Sequence, residues 1–308
     1  MYVFNSLAPV FGIIGLGVLL RWVGFLTPEF VRGMTRLAYR VGIPCLLFQK
    51  LATAGVDVGQ HADAIVVQWL GTGLCMVVGY AMARWVGAPR ASIGTTVQMS
   101  YHGNLAFVGL SVILYSTSHD VATVVATAVL IIACVAPLYN ISSVAVLLAP
   151  QHQLSAGALR AVVWQLVTNP VILACLAGGA YAYADLPLPA AADRTLAAIG
   201  QMALPVALLG IGGSLRLERS PGRYGMMLAA SLVKVGFGPA VGFALGRLAG
   251  LSGDELRVVV LLFACPNATV AFILADQLGG DRALAAGAVV MSTLLSIASL
   301  SVVVWAFG

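Results

Sequence analysis

Two short polar stretches stand inside long apolar runs, and their residues are the ones able to do chemistry. The first reads Gln98-Met-Ser-Tyr-His-Gly-Asn-Leu-Ala-Phe-Val-Gly109 and brings Ser100, His102, Gly103 and Asn104 together. The second reads Phe263-Ala-Cys-Pro-Asn-Ala-Thr269 and carries Pro266 and Asn267. Proline has no amide hydrogen and its ring clashes with the carbonyl four residues back, so Pro266 interrupts a helix. Gly103 lowers helix propensity and permits unusual dihedrals. Each interruption divides a helix into halves whose positive amino ends can seat an anion. Asn104 and Asn267 both donate and accept hydrogen bonds, so either can hold a carboxylate or the opposite carbonyls. For one stretch alone, a kink with buried amides that cement packing explains as much. Matching interruptions in both halves of the chain point to a binding site.

Other polar residues lie at similar depth. His102 is a candidate proton carrier or, equally, a neutral hydrogen-bond partner. Lys234, in the middle of an apolar run, is costly in hydrocarbon unless it faces a partner or a cavity, and it can attract an anion. Asp276 is its nearest candidate counter-charge by depth, and Arg40 is expected to snorkel to a surface. Pro44 and Pro205 fall near the middle of two further runs, and Gly210-Ile-Gly-Gly213 allows close helix approach or hinging.

Enzyme chemistry finds no support. The chain has no paired nucleophile and base, no metal-ligand cluster and no phosphate-cradling loop, so neither cofactor nor metal is expected. Gly12-Ile-Ile-Gly-Leu-Gly17 lies in an apolar run and is better explained by helix packing than by nucleotide binding. The five cysteines (Cys45, Cys75, Cys134, Cys175 and Cys265) have no paired spacing and are expected to be small buried apolar side chains.

The elements that must position these residues follow from composition. The chain is 60% hydrophobic and only 9% charged over 308 residues, with a mean hydropathy of +0.99. Soluble domains are about a quarter charged, and one core could not hide this much apolar surface. The chain is therefore an integral membrane protein embedded in a lipid bilayer. Apolar runs suggest spans near 5–24, 34–53, 62–83, 92–115, 121–148, 160–183, 194–215, 224–246, 255–276 and 282–306. The net charge of +5 is spread too thinly for nucleic acid. It reports orientation instead. With the amino terminus outside, the inner face holds Arg21, Arg32, Arg36, Arg84, Arg90, Arg160, Arg216, Arg219, Arg223 and Arg282. The other face holds Lys50, Arg194, Arg247 and Arg257, so both termini are expected outside. The first ten residues carry no basic side chain, and no cleavable signal is expected.

The halves repeat. A shift of 161 residues pairs Pro9 with Pro170, Gly17 with Gly178, Pro28 with Pro189, Pro44 with Pro205 and Asp120 with Asp281. It also sets Asn104 beside Cys265 and Leu105 on Pro266. The expected organisation is a first five-helix repeat at 1–149, a short polar linker at 150–159 and a second repeat at 160–308. An odd number of spans inverts the second copy. Inverted repeats with broken helices mark alternating-access carriers.

At these residues the chain resembles the auxin efflux carrier family, which includes plant auxin carriers and bacterial malate and malonate relatives. The similarity runs through Leu7-Ala-Pro-Val-Phe11, Leu26-Thr-Pro-Glu29, Arg36 to Phe48, Asn104 to Gly109, Asn169-Pro170 and Pro266 to Asp281. The resemblance implies an all-α polytopic fold in which the fourth and ninth helices cross at their broken centres. Helices one, two, six and seven would form a scaffold, often dimeric. Substrate would sit at the crossing, near Asn104 and Pro266, facing helices two and seven. It further implies a secondary transporter of a small organic anion in the bacterial inner membrane, working as a homodimer. The chain departs from the family in having Tyr101-His-Gly103 in place of a proline at the first break, and Ser111 where a proline often follows. Its central loop is short, which favours a small carboxylate over auxin. The alternatives are a sodium-coupled organic anion symporter of the bile-acid type, which would be expected to bring a carboxylate to the crossing, and a membrane sensor or scaffold.

Overall fold

The computed structural model describes residues 1–54, 59–149, 160, 163–164, 167–215 and 222–308. The expected linker at 150–159, and Arg216 and Arg219, lie outside the described residues. The regular elements among the described residues are all helical. Among the described residues, six helices are long and apolar enough to cross a membrane: Tyr2–Trp22, Gly59–Trp85, Val121–Leu148, Ala190–Ser214, Tyr224–Leu248 and Arg282–Phe307. Apolar side chains cover their outer faces as well as their packed ones. Leu16, Leu19, Trp69, Leu70, Leu294 and Val302 are all exposed. A helix apolar all round suits a membrane, where no face has to meet water.

In chain order the elements begin with α1 (Tyr2–Trp22) and α2 (Pro28–Leu37), which runs through a π-helical turn, Ala38–Gly42, into α3 (Ile43–Ala54). Next are α4 (Ala62–Trp85), α5 (Arg90–Met99), a π-helical turn at Leu105–Gly109 leading into α6 (Leu110–Ser116), and α7 (Val121–Leu148). The second half holds α8 (Pro170–Tyr183), α9 (Ala190–Ser214) and α10 (Tyr224–Leu232). A π-helical turn, Val233–Phe237, joins α10 to α11 (Gly238–Leu248), followed by α12 (Gly253–Ala264), α13 (Thr269–Gln277) and α14 (Arg282–Phe307). The second apolar run therefore starts at Pro28, six residues before its expected start. Thr27 caps it by accepting from the Phe30 N–H at 3.2 Å, with Pro28 at the first helical position.

Two of the π turns sit just ahead of a proline, Pro44 and Pro239. A proline ring clashes with the carbonyl four residues back, and wider i→i−5 bonding at Ile43 and Gly238 relieves the ladder there. Pro9, Pro137 and Pro205 lie inside uninterrupted α-helix.

The chain forms two compact units. Unit 1 comprises Met1–Ala62, Ala106–Cys134 and Leu166–Leu215, and so holds α1, α2–α3, α6, the first half of α7, α8 and α9. Small residues set its packing. A Cβ at Gly17 would fall on the Leu209 carbonyl, and one at Gly212 on the Ile14 carbonyl, so α1 and α9 meet backbone to backbone. Gly213 lies against Val31, and Gly210 against Thr35. Gly17 thus does the packing expected of its motif, whereas Gly12 and Gly15 face open space. Asn169-Pro170 starts α8: the Asn169 carboxamide oxygen accepts from Val171 N–H at 2.9 Å, and proline occupies the position whose amide needs no partner.

Unit 2 comprises Asp63–Leu105, Val135–Gln165 and Arg216–Gly308. The Phe263 ring lies in a groove of glycines, where a Cβ at Gly71 or Gly242 would overlap it. Asp281 ties three helix starts together. Its carboxylate accepts from Leu284 N–H at 3.1 Å as the α14 cap, from Ser92 Oγ at 2.7 Å and from Arg223 Nε at 2.8 Å. Its own N–H donates to Thr95 Oγ1 at 2.8 Å. Asp120, which the 161-residue shift aligns with Asp281, lies in unit 1 and caps α7 by accepting from Thr123 N–H at 3.4 Å.

Candidate functional site

The two polar stretches are the two places where unit 2 breaks its helices, and the breaks bond to each other. α12 stops at Ala264 because Pro266 follows. Cys265, the residue before the proline, takes φ −64° and ψ 145°, outside the helical region as the ring requires. The helix resumes as α13 only at Thr269. α5 stops at Met99, and helical geometry resumes at Leu105. Between the breaks, Gly103 and Asn267 form an isolated antiparallel bridge. Asn104 N–H donates to the Pro266 carbonyl at 2.7 Å, and Ala268 N–H donates to the His102 carbonyl at 3.0 Å. The backbone groups freed by each break are thus satisfied by the other, as buried peptide groups require.

The contacts run antiparallel and pair Asn104 with Pro266 and Gly103 with Asn267. Gly103 stands in the non-helical stretch between Met99 and Leu105. It is not among the glycines with positive φ. It also leaves room for the lysine tip: a Cβ there would stand 2.8 Å from Lys234 Cε and 3.0 Å from Nζ.

Each nominated side chain has a definite place. Asn267 is 2% exposed. Its Nδ2 donates to the Met99 carbonyl at 2.6 Å, and its N–H donates to Ser292 Oγ at 3.0 Å. Its Oδ1 is buried and has no hydrogen-bond partner among the described residues. Asn104 is buried beside it. Ser100 Oγ donates to the Thr96 carbonyl at 2.8 Å, and a Cβ on Gly79 of α4 would collide with it. His102 points into a cluster from α7: Nδ1 lies 2.8 Å from Ser143 Oγ, and the ring sits 4.9 Å from that of Tyr139. Lys234 is 1% exposed, and its Nζ donates to the Phe263 carbonyl at 2.5 Å. The expected pairing of Lys234 with Asp276 does not form. Asp276 lies 3.6 Å from Arg282 instead, because a carbonyl at a helix end answers the ammonium without burying a second charge. Pro44 and Pro205 belong to unit 1, where their helices pack through Gly42 on Ala203 and Gly200 on Leu46.

Several partners escaped the sequence reading. Ser143, Tyr139 and Ser292 each hold a residue of the crossing or its neighbour. Gln68 and Gln98 are fully buried in unit 2 with both amide atoms unpartnered among the described residues. Polarity within an apolar span was the available signal, and Ser142-Ser143 and Ser292-Thr293 carry it.

The N-terminus of α13 has no side-chain cap, since Ala268 stands at the capping position. The crossing therefore combines an uncapped helix start, amide groups and one buried ammonium within unit 2. Such a set can hold and release an anion, and it contains no group arranged to attack one. A protein of Rhizobium meliloti (strain 1021) named "Putative malonate transporter" is 23% identical over 303 residues, covering 95% of this chain and 92% of that protein. Residues 2–304 match the family described as "Membrane transport protein", the family to which the auxin-carrier resemblance points. With that match spanning nearly every residue, the chain belongs to the membrane transport protein family.

Proposed function

We propose that this protein is a secondary carrier that moves a small organic anion, a carboxylate of the malonate or malate type, by alternating access. The observation that carries the reading is the pair of mutually bonded helix breaks, Gly103 against Asn267, within unit 2. Discontinuous helices place binding groups at mid-membrane in carriers of this design, and their half-helix amino ends favour carboxylates. In this reading Asn104, Asn267, Gly103 and Pro266 form the substrate seat. Lys234 supplies positive potential, while Ser100 and His102 shape its wall. The arrangement is ten spans in two inverted sets of five, 1–149 and 160–308, in a homodimer of the bacterial inner membrane with both termini outside. The name of the R. meliloti relative supports a dicarboxylate.

Counterflow of labelled malonate in proteoliposomes tests the reading. Accumulation of label against unlabelled internal malonate is expected. Binding of small carboxylates without flux of any of them would make the protein a sensor and overturn the carrier.

A further inference from the structure

The two broken helices end differently. The last-turn carbonyls of α5 are met by neutral donors: Thr96 by Ser100 Oγ, Gln98 by the His102 N–H and Met99 by Asn267 Nδ2. At the end of α12 the Leu261 carbonyl is met by Cys265 Sγ at 3.1 Å, and the Phe263 carbonyl by the Lys234 ammonium. The carboxyl end of a helix carries partial negative charge. In carriers with discontinuous helices, such ends and the unwound carbonyls beside them coordinate the coupling cation. Lys234 reaches this place from the π turn Val233–Phe237 of a different helix, and its stem occupies the space that Gly103 leaves open. One ammonium therefore touches both breaks. Among the described residues no carboxylate pairs with Lys234, and Asp276 is turned to Arg282.

We propose that Lys234 is a tethered coupling cation: its ammonium fills the seat at the α12 carboxyl end that a free sodium ion would take, so the cycle needs no free monovalent cation. This rests on the carrier reading above, and it sets the protein apart from a sodium-coupled symporter. A covalently attached cation cannot leave with the substrate, so the anion crosses carrying its own charge, and its electrochemical gradient, concentration and membrane potential together, drives net movement. Gly103 and the π turn are then there to admit and place the ammonium.

The test uses purified full-length protein, melted in choline chloride, sodium chloride or ethylammonium chloride at equal ionic strength. Wild type should melt alike in all three. K234A should lose several degrees in choline and recover part of the loss in sodium or ethylammonium, which can enter the emptied seat. A wild-type gain in sodium over choline, or a K234A melting point indifferent to the cation, would overturn the proposal. K234Q separates charge from hydrogen bond, because its amide can still donate to the Phe263 carbonyl. It should keep most of the melting temperature and lose malonate flux, and wild-type flux in sodium-free K234Q would equally overturn the proposal. If the wild type moves no malonate, the carrier reading fails and the melting comparison alone decides the cation seat.

Discussion

Replacing Asn267 probes whether its side chain holds the two breaks together. Its Nδ2 lies 2.6 Å from the Met99 carbonyl and 3.5 Å from that of His102, so only the first bond is short enough to matter. Hydrogen bonds between side chains inside membrane proteins average about 0.6 kcal/mol. The Met99 carbonyl changes that figure, because it ends a helix and has no intrahelical partner. Leaving a buried backbone acceptor unsatisfied costs about 1–3 kcal/mol. Loss of Oδ1 removes a group that has no partner among the described residues and so costs nothing. Asn267→Ala should therefore destabilise by about 1–2 kcal/mol, the lower part of that range. At roughly 2–4 °C per kcal/mol the melting temperature should fall by roughly 2–8 °C. Asn267→Asp keeps the size but turns an acceptor toward the Met99 carbonyl, so it should fall further than alanine. The order wild type, alanine, aspartate is what the geometry dictates. Melting of the purified variants followed by intrinsic fluorescence measures it. Aspartate as stable as alanine, or both matching wild type, would refute the Nδ2–Met99 contact and the site built on it.

Other predictions bear on separate links. Pro266→Ala returns an amide hydrogen to the break, and Asn104→Ala removes a seat amide; both should impair malonate counterflow more than expression, and wild-type rates in both would move the site elsewhere. Gly212→Ala drives a methyl into the Ile14 carbonyl of α1 and should cost about 1–3 kcal/mol by overpacking. Gly12→Ala meets nothing within 4 Å, and its melting point should stay near or slightly above that of the wild type. Asp281 titrates below the usual carboxylate range: burial pushes it up, but the hydrogen bonds from Arg223, Ser92 and Leu284 N–H and the Arg223 charge outweigh that. A depressed folded value means its stabilisation is present at neutral pH, above the unfolded value near ~4, and is lost as pH falls through the folded one. Asp281→Asn should melt lower than wild type at neutral pH, and melting curves taken down the acid limb should show the gap closing.

How much of this was legible depended on whether a residue announces a local rule or a partner. Pro266 announces a rule, and the helix stops just ahead of it, with Cys265 out of the helical region. Gly103 announced only a weakness, and the room it leaves for Lys234 needed the facing helix in view. The 161-residue offset is an alignment of the two stretches and says nothing of which residues touch. In an alignment at constant offset the residue numbers of both stretches rise together. The two breaks instead bond antiparallel, so from Asn104–Pro266 to Gly103–Asn267 one number falls as the other rises. Pro44 and Pro239 told that a helix would be disturbed, yet Pro9 and Pro205 leave theirs undisturbed, so proline alone does not say where a π turn forms. Lys234 shows the same division most clearly. Its depth was readable from the apolar run around it, and depth suggested Asp276 as a partner. A carbonyl at the end of a half-helix can solvate an ammonium with its partial negative charge, and that end exists because Pro266 breaks the helix three residues beyond Phe263. The lysine and the proline are therefore one feature of the site, although 32 positions separate residues 234 and 266 in sequence.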